Sequence, residues 1–156
     1  MKAIAAAILF LCASMAYAWS PLDSYIAKEC RSYDVPFGVA ERLITSESSW
    51  NPDAVNPADP SVGIAQLQVR LLPWFARMFN DNRPINPYDA FTSVHVMIRY
   101  LSWLHHEIYY RDWWYSVMAY KVGLGDPTRG YITEPRVYDQ VPLRIRQICW
   151  WVAHGD

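Results

Sequence analysis

A chain of 156 residues, 53% of them hydrophobic, is long enough for one domain with its own core. Its formal net charge is −1 at pH 7, which excludes the strongly basic character of a typical nucleic-acid-binding domain. We therefore expect a single compact domain without a nucleic-acid partner.

Residues 1–18 have the pattern of a secretory signal peptide. Lys2 gives a positive start, residues 3–17 are almost wholly apolar, and the segment ending at Ala18 fits a small-x-small cleavage site. The alternative is an uncleaved membrane anchor, but the apolar run is shorter than the roughly 20 residues that span a bilayer. We expect cleavage after Ala18, a mature domain at 19–156 without a membrane span, and a periplasmic or secreted location.

Helical signals dominate the rest of the chain. Ser20 is followed by a proline, as at the N-cap and first turn of a helix. Apolar residues at helical spacing predict helices over residues 21–33, 36–49, 70–80, 87–110, 112–122 and 135–152. The last one is interrupted or kinked at Pro142. Loops rich in turn residues connect them, and no convincing hairpin is found. The predicted fold class is mainly α, in one compact domain.

The cysteines and histidines bear on covalent and metal chemistry. Cys30 and Cys149 follow the predicted cleavage site, and an even pair in an exported chain permits one disulfide. We predict that bridge between the first helix and the last; the alternative is two free, buried thiols. His105 and His106 are adjacent, which is not the spacing of a two-histidine metal site on a helix. We expect no metal and no cofactor.

The second predicted helix carries a carboxylate on its apolar face. At about 100° per residue, Ala40 and Leu43 lie within about 40° of Glu47 around the axis. Glu41 and Thr45 lie beyond about 120°. Partial burial would disfavour the charged form of Glu47 and raise its pKa, so that it could protonate a leaving oxygen. The alternatives are an ion pair with an arginine from another helix, or half exposure where the helix leaves the core.

Short motifs around this glutamate occur in a characteristic order. They are Glu47-Ser48, Asn51-Pro52-Asp53-Ala54-Val55, Gly63-Ile64-Ala65-Gln66, Ala119-Tyr120-Lys121 and Glu134-Pro135-Arg136-Val137-Tyr138. Over about residues 24–148 this order resembles the lytic transglycosylase domain, whose fold is similar to goose-type lysozyme. The family pattern reads Gly-Leu-Met-Gln, Ala-Tyr-Asn and Glu-Thr-x-x-Tyr, so the chain departs from it at Ala65, Lys121 and Pro135.

The resemblance implies catalysis with one carboxylate, although most glycosidases use two. Glu41 lies on the opposite side of the helix from Glu47. Asp53 and Asp59 could approach the cleft, but we assign them to turn-making in their loop. In lytic transglycosylases a single glutamate protonates the glycosidic oxygen and then deprotonates the C6 hydroxyl of N-acetylmuramic acid. That hydroxyl attacks C1 and gives a 1,6-anhydro end without consuming water, and the N-acetyl group can stabilise the cationic intermediate.

By resemblance, the site has Glu47 as its catalytic residue and, as substrate-binding residues, Ser48, Gly63, Gln66, Tyr120 and Tyr138. Ser48 and Gln66 would orient the carboxyl group or an N-acetyl group, and Gly63 would let the backbone approach the sugar. The two tyrosines would offer hydroxyl contacts to the cleft or, alternatively, pack in the core with a satisfied hydroxyl. Lys121 would either place a positive charge near the cleft or point to solvent.

The expected activity is cleavage of the MurNAc–GlcNAc β-1,4 bond in peptidoglycan glycan strands by a monomeric enzyme. A lysozyme-type hydrolase on the same fold remains open, and product analysis separates the two, because hydrolysis leaves a reducing end. A catalytically inactive peptidoglycan-binding module also remains open. Glu47 on the apolar face and Gln66 argue against it, whereas the departures at Ala65 and Lys121 keep it open.

Overall fold

In the computed structural model, which describes residues 20–109, 111–123 and 141–155, the chain forms helices joined by loops and one small sheet. The helices are α1 (Pro21–Ser32), α2 (Phe37–Ser48), α3 (Leu72–Phe79), α4 (Ala90–Trp103), α5 (Trp113–Val122) and α6 (Leu143–His154). The predicted mainly α class is confirmed. Within those ranges, no helix combines the length and apolar character that a membrane crossing needs. The predicted signal peptide and Tyr138 lie outside the described residues.

Capping side chains decide where several helices begin. Ser20 and Asp23 form a reciprocal capping box at the start of α1, as the predicted N-cap required. Asp89 and Asp112 cap α4 and α5 by accepting a hydrogen bond from the backbone N–H three residues further on. Helix α4 therefore begins later than the sequence pattern suggested. Pro142 is the N-cap of α6, so in the described part of the chain it starts that helix instead of kinking it.

Helix α4 runs through the core. Five residues at helical spacing along it are completely or almost completely buried, namely Val94, Met97, Ile98, Leu101 and, in the π-helical turn that follows, Leu104. Helix α4 packs against α1 and α3. A side-chain contact joins it to α1, where His95 Nδ1 lies 2.6 Å from Glu29 Oε2.

Helix α2 lies between α1 and α6, and α6 also packs against α5. The buried side of α2 is formed by Val39, Ala40, Leu43 and Ile44. Arg42 of α2 donates through Nε to the carbonyl oxygen of Val152, near the C-terminal end of the chain, at 3.0 Å. This hydrogen bond fixes α6 to α2. The C-terminal ends of α2 and α5 also meet, where Lys121 contacts Glu47, and the candidate site lies there.

A small antiparallel sheet connects α2 to α3, so the expectation of no hairpin was wrong. Its strands are β1 (Val55–Asn56), β2 (Ser61–Val62) and β3 (Leu67–Gln68), with β2 in the middle. Each strand has only two residues, and both residues of β1 are exposed. Such a strand is too short to show the alternation of apolar and polar residues by which strands are recognised.

The predicted disulfide is not formed, because Cys30 and Cys149 are both free, buried thiols. Cys30 belongs to α1, which packs mainly against α4 and α2, whereas Cys149 belongs to α6, which packs mainly against α5 and α2. Burial raises the pKa of Cys30 to about 12 and that of Cys149 to about 11. Both thiols therefore act as small apolar core residues.

Candidate active site

Glu47 lies in the last turn of α2, one residue before the helix ends at Ser48. Its side chain is only 14% exposed, in agreement with its position on the apolar stripe of the helix. Burial is the largest influence on its pKa, which is raised above the ordinary glutamate value. The carboxyl group is therefore easier to protonate than a glutamate at the surface.

Lys121, from the last turn of α5, contacts this carboxyl group directly. Its Nζ donates to Glu47 Oε1 at 2.7 Å and to Ser46 Oγ at 3.1 Å, and its side chain is 12% exposed. The ammonium lowers the pKa of Glu47 by its charge and its hydrogen bond, but the effect of burial is larger. The alternative in which Lys121 points to solvent was wrong, because its side chain is largely buried; its positive charge lies beside Glu47, paired with the acid itself. The ion partner of Glu47 is thus a lysine and not an arginine.

Ser48 holds the loop that faces the end of α2. Its hydroxyl donates to the carbonyl oxygen of Ile64 at 2.7 Å and, more weakly, to that of Ile44 at 3.4 Å. Residues 63–66, which connect β2 to β3 and are called here the 63–66 loop, are therefore tied to α2. In the structure the Ser48 hydroxyl has these backbone partners, and its role in orienting the Glu47 carboxyl group or an N-acetyl group stays a prediction.

Tyr120 holds the same loop from α5. Its hydroxyl donates to the carbonyl oxygen of Ala65 at 2.7 Å. Burial raises the pKa of Tyr120 well above its ordinary value, and the nearby Glu47 and Tyr100 raise it further. The phenol is therefore neutral and close enough to Glu47 to respond to its charge, while its proton is used within the protein.

Gly63 and Gln66 shape the two ends of the 63–66 loop. Gly63 has a φ of 80°, and a Cβ added there would overlap the carbonyl oxygen of Pro87. A glycine is therefore required here by the close approach of the Pro87 backbone. The predicted approach of the Gly63 backbone to a sugar stays a prediction. Gln66 also has a positive φ, of 48°. Its Nε2 donates to the carbonyl oxygens of Ala54 at 3.2 Å and Gly63 at 3.0 Å, so its amide braces the loop.

The other carboxylates considered from the sequence make no hydrogen bond to Glu47. Glu41, Asp53 and Asp59 are exposed, and among the described residues no carboxylate is in hydrogen-bond contact with Glu47. The prediction that Asp53 and Asp59 make the turns of their loop by bonding to its backbone was wrong. The side chains that accept from loop backbone are those of Asn51 and Asn56, and Asp59 accepts from a glutamine side chain. The part of the chain that the structure describes holds no group of three metal-ligating side chains.

Sequence reasoning missed Ser46. Its hydroxyl donates to the carbonyl oxygen of Leu43 at 2.9 Å and accepts from Lys121, so it fixes the ammonium beside the acid. A serine one residue before a glutamate carries no sequence signal for such a contact. Of the predicted site residues, the structure brings Glu47 together with Ser48, Tyr120 and the 63–66 loop.

Three solved structures that this chain resembles in fold are lytic transglycosylases. The 70 kDa soluble lytic transglycosylase of Escherichia coli matches with a TM-score of 0.58 at 20% identity, over 65% of this chain and 16% of that one. A complex of the 70 kDa soluble lytic transglycosylase with bulgecin A gives 0.60 at 20% identity, over 86% and 19%. An inactive glutamate-to-glutamine mutant of the lytic transglycosylase Slt from Pseudomonas aeruginosa gives 0.64 at 16% identity, over 83% and 22%.

The chain thus spans about a fifth of the length of these proteins, and the likeness confirms the predicted lysozyme-like fold. Among proteins with curated descriptions, none matches the chain significantly. The family model described as the transglycosylase SLT domain matches residues 24–134, which is well over half of the sequence. The chain belongs to the transglycosylase SLT domain family.

Proposed function

We propose that this chain is a peptidoglycan lytic transglycosylase that cleaves the MurNAc–GlcNAc β-1,4 bond and leaves 1,6-anhydroMurNAc ends. The observation that carries the proposal is the buried carboxyl group of Glu47 where α2, α5 and the 63–66 loop meet. No other described carboxylate contacts it, which supports a mechanism with one acid and base. Family membership supports the same activity.

In the first step, Glu47 is the general acid. Burial raises its pKa, so a fraction of the enzyme carries the proton that the reaction needs. Glu47 gives this proton to the glycosidic oxygen while the bond from that oxygen to C1 of the muramic acid breaks. The leaving sugar departs with a hydroxyl group, and the N-acetyl group of the muramic acid stabilises the positive charge at C1.

In the second step, the Glu47 carboxylate is the general base. It takes the proton from the C6 hydroxyl of the same muramic acid, and O6 forms the new bond to C1. The protons balance, because Glu47 gives one proton in the first step and regains one in the second. No water is consumed. The ammonium of Lys121, 2.7 Å away, stabilises the carboxylate that exists between the two steps.

The remaining predicted site residues act around this acid. Ser48 and Tyr120 fix the 63–66 loop close to Glu47, and in this proposal Gly63 and Gln66 lie beside the sugar. We retain Tyr138 as a substrate contact on the family resemblance alone. The inactive glutamate-to-glutamine mutant of the Pseudomonas protein supports the role of a single glutamate.

Glu47→Gln tests the proposal. It keeps the shape of the side chain but cannot donate and accept the proton, so digestion of purified sacculi should fall by about 100- to 10,000-fold or more. Asp53→Asn and Asp59→Asn are the matched controls and should digest at near wild-type rate, since both side chains are exposed. A Glu47→Gln variant with near wild-type turnover would refute the assignment. Inactivity of either aspartate variant would favour a two-carboxylate mechanism.

Mass spectrometry of the digested sacculi identifies the product. We expect 1,6-anhydro ends from the wild-type protein, whereas reducing ends would show a lysozyme-type hydrolase on the same fold. One observation favours a second candidate, an inactive peptidoglycan-binding module, because the Lys121 ammonium occupies Oε1 of the proposed acid. A protein that sediments with sacculi but releases no fragments would establish that candidate.

Export is part of the same proposal. The positive start, the apolar run and the small residues before Trp19 support a signal peptide at residues 1–18, followed by the catalytic domain. N-terminal sequencing of protein recovered outside the cytoplasm should begin at Trp19. Recovery of the intact form in the membrane fraction would contradict cleavage.

A further inference from the structure

The ion pair between Lys121 and Glu47 is a feature of this chain and not of the family pattern, which has asparagine in place of the lysine. The pair joins the ends of two helices, with the ammonium 2.7 Å from Oε1 and both side chains largely buried. Ser46 Oγ gives the ammonium a second fixed partner at 3.1 Å. Among the described residues, no group donates a hydrogen bond to the other carboxyl oxygen, Oε2.

Within the described ranges, Lys121 is the charged group that acts on Glu47. Among the described residues, the other titratable groups that respond to the charge of Glu47 are Tyr120 on α5 and Cys149 on α6. Burial raises the pKa of Tyr120 well above its ordinary value and that of Cys149 to about 11, so both are neutral where the enzyme would work. The neighbouring 63–66 loop contributes no titratable side chain. A change in the charge at residue 121 therefore acts on Glu47 without competition from these neighbours.

We propose that Lys121 is a positioning residue that anchors Oε1 of Glu47, leaves Oε2 to exchange the proton with the glycan, and shifts activity to lower pH. The inference rests on the proposed function, because Lys121 acts through Glu47. An ammonium beside the carboxyl group favours its ionised form, whereas a neutral asparagine would not. Because the first step needs protonated Glu47, the lysine restricts activity to more acidic conditions and assists the second step, in which the carboxylate is the base.

The test compares the pH dependence of kcat/KM for wild type, Lys121→Asn and Lys121→Arg on sacculi. Lys121→Asn should move the basic limb of the profile upward by about 1–3 pH units, the usual effect of removing an opposite charge at this distance. Lys121→Arg keeps the charge, so its basic limb should stay at the wild-type position even if the altered geometry lowers the rate. A merely structural lysine would change the rate or the stability without moving the limb.

Carbon-13 NMR of the Glu47 carboxyl group gives a readout that does not depend on activity, with Glu47→Gln used to assign the signal. The Glu47 signal should titrate at higher pH in Lys121→Asn than in wild type. If Lys121→Asn does not fold, Lys121→Gln, with a longer neutral side chain, takes its place. Coincident titration curves and unmoved basic limbs would overturn the inference.

The two proposals fail in different ways. If Glu47→Gln digests sacculi normally, the proposed function fails, although the NMR titration still measures the coupling between Lys121 and Glu47. If Glu47→Gln is inactive and the neutral variant leaves the pH profile unmoved, the proposed function stands and the role of Lys121 is refuted.

Discussion

Ser48 and Tyr120 donate hydrogen bonds of 2.7 Å to two consecutive carbonyl oxygens, those of Ile64 and Ala65. The first donor directly follows Glu47 at the end of α2, and the second directly precedes the lysine partner of Glu47 at the end of α5. The loop and the ion pair are therefore fixed by the same two helix ends. Movement of either end would displace the acid and the 63–66 loop together.

Ser48→Ala and Tyr120→Phe should each destabilise the protein by about 1–3 kcal/mol, because each leaves a partly buried carbonyl without its donor. The double variant should deviate from the sum of the two by at least about 0.5 kcal/mol, since both donors hold one loop. Urea denaturation measures all three. Ser32→Ala is the control, because its hydroxyl bonds only to the exposed turn of its own helix. If the loss of stability in the double variant equals the sum of the two single losses, the two donors do not act on one loop.

Gly63→Ala should be among the most damaging single substitutions in the sheet region. A methyl group there combines a positive φ with overlap on the Pro87 carbonyl, and we expect a loss of at least about 2 kcal/mol. Gly38→Ala is the comparison: it lies in α2 with a helical backbone, and its Cβ would meet side-chain atoms of Arg42 and no backbone, so its loss should be smaller than that of Gly63→Ala. Thermal unfolding compares them. Equal melting temperatures for the two variants would contradict the close approach.

Cys30 and Cys149 should resist alkylation in the native protein near neutral pH. Burial limits access, and the pKa values of about 12 and about 11 keep both thiols protonated, whereas the thiolate is the reactive form. After denaturation without reductant, both should take up iodoacetamide, as mass spectrometry would show. A cross-linked peptide containing both cysteines would instead establish the bridge that the structure lacks.

Glu29→Ala should cost about 2–4 kcal/mol, because it leaves His95 without its partner between α1 and α4. The two side chains are only 10% and 16% exposed, so water replaces the lost contact poorly. Asp34→Asn is the control for a histidine–carboxylate pair at the surface. Its partner, His106, is 3.7 Å away and Asp34 is 90% exposed, so its loss should cost less than about 0.5 kcal/mol. If urea denaturation gives similar losses of stability for the two variants, the distinction between the buried pair and the exposed pair is wrong.

The helices could be predicted because their apolar residues recur at helical spacing. Ser20 and the proline that follows it mark the start of the first helix. The burial of Glu47 followed from the same spacing. The sheet could not be predicted, since two-residue strands have no period. The pairing of Lys121 with Glu47 could not be predicted from the sequence either. It depends on how two helix ends, 74 positions apart in the chain, meet in space. The disulfide prediction failed because counting cysteines says nothing about their geometry.

The family match ends at residue 134, whereas α6 occupies Leu143–His154. That helix packs against both α2 and α5, and Val152 accepts from Arg42 of α2. The family match therefore ends inside the folded domain and leaves out a helix that packs against α2 and α5. A fragment ending at residue 134 would keep every motif through Glu134 and lose the support that sets the spacing between acid and ammonium. Recombinant versions of this domain need to extend through His154.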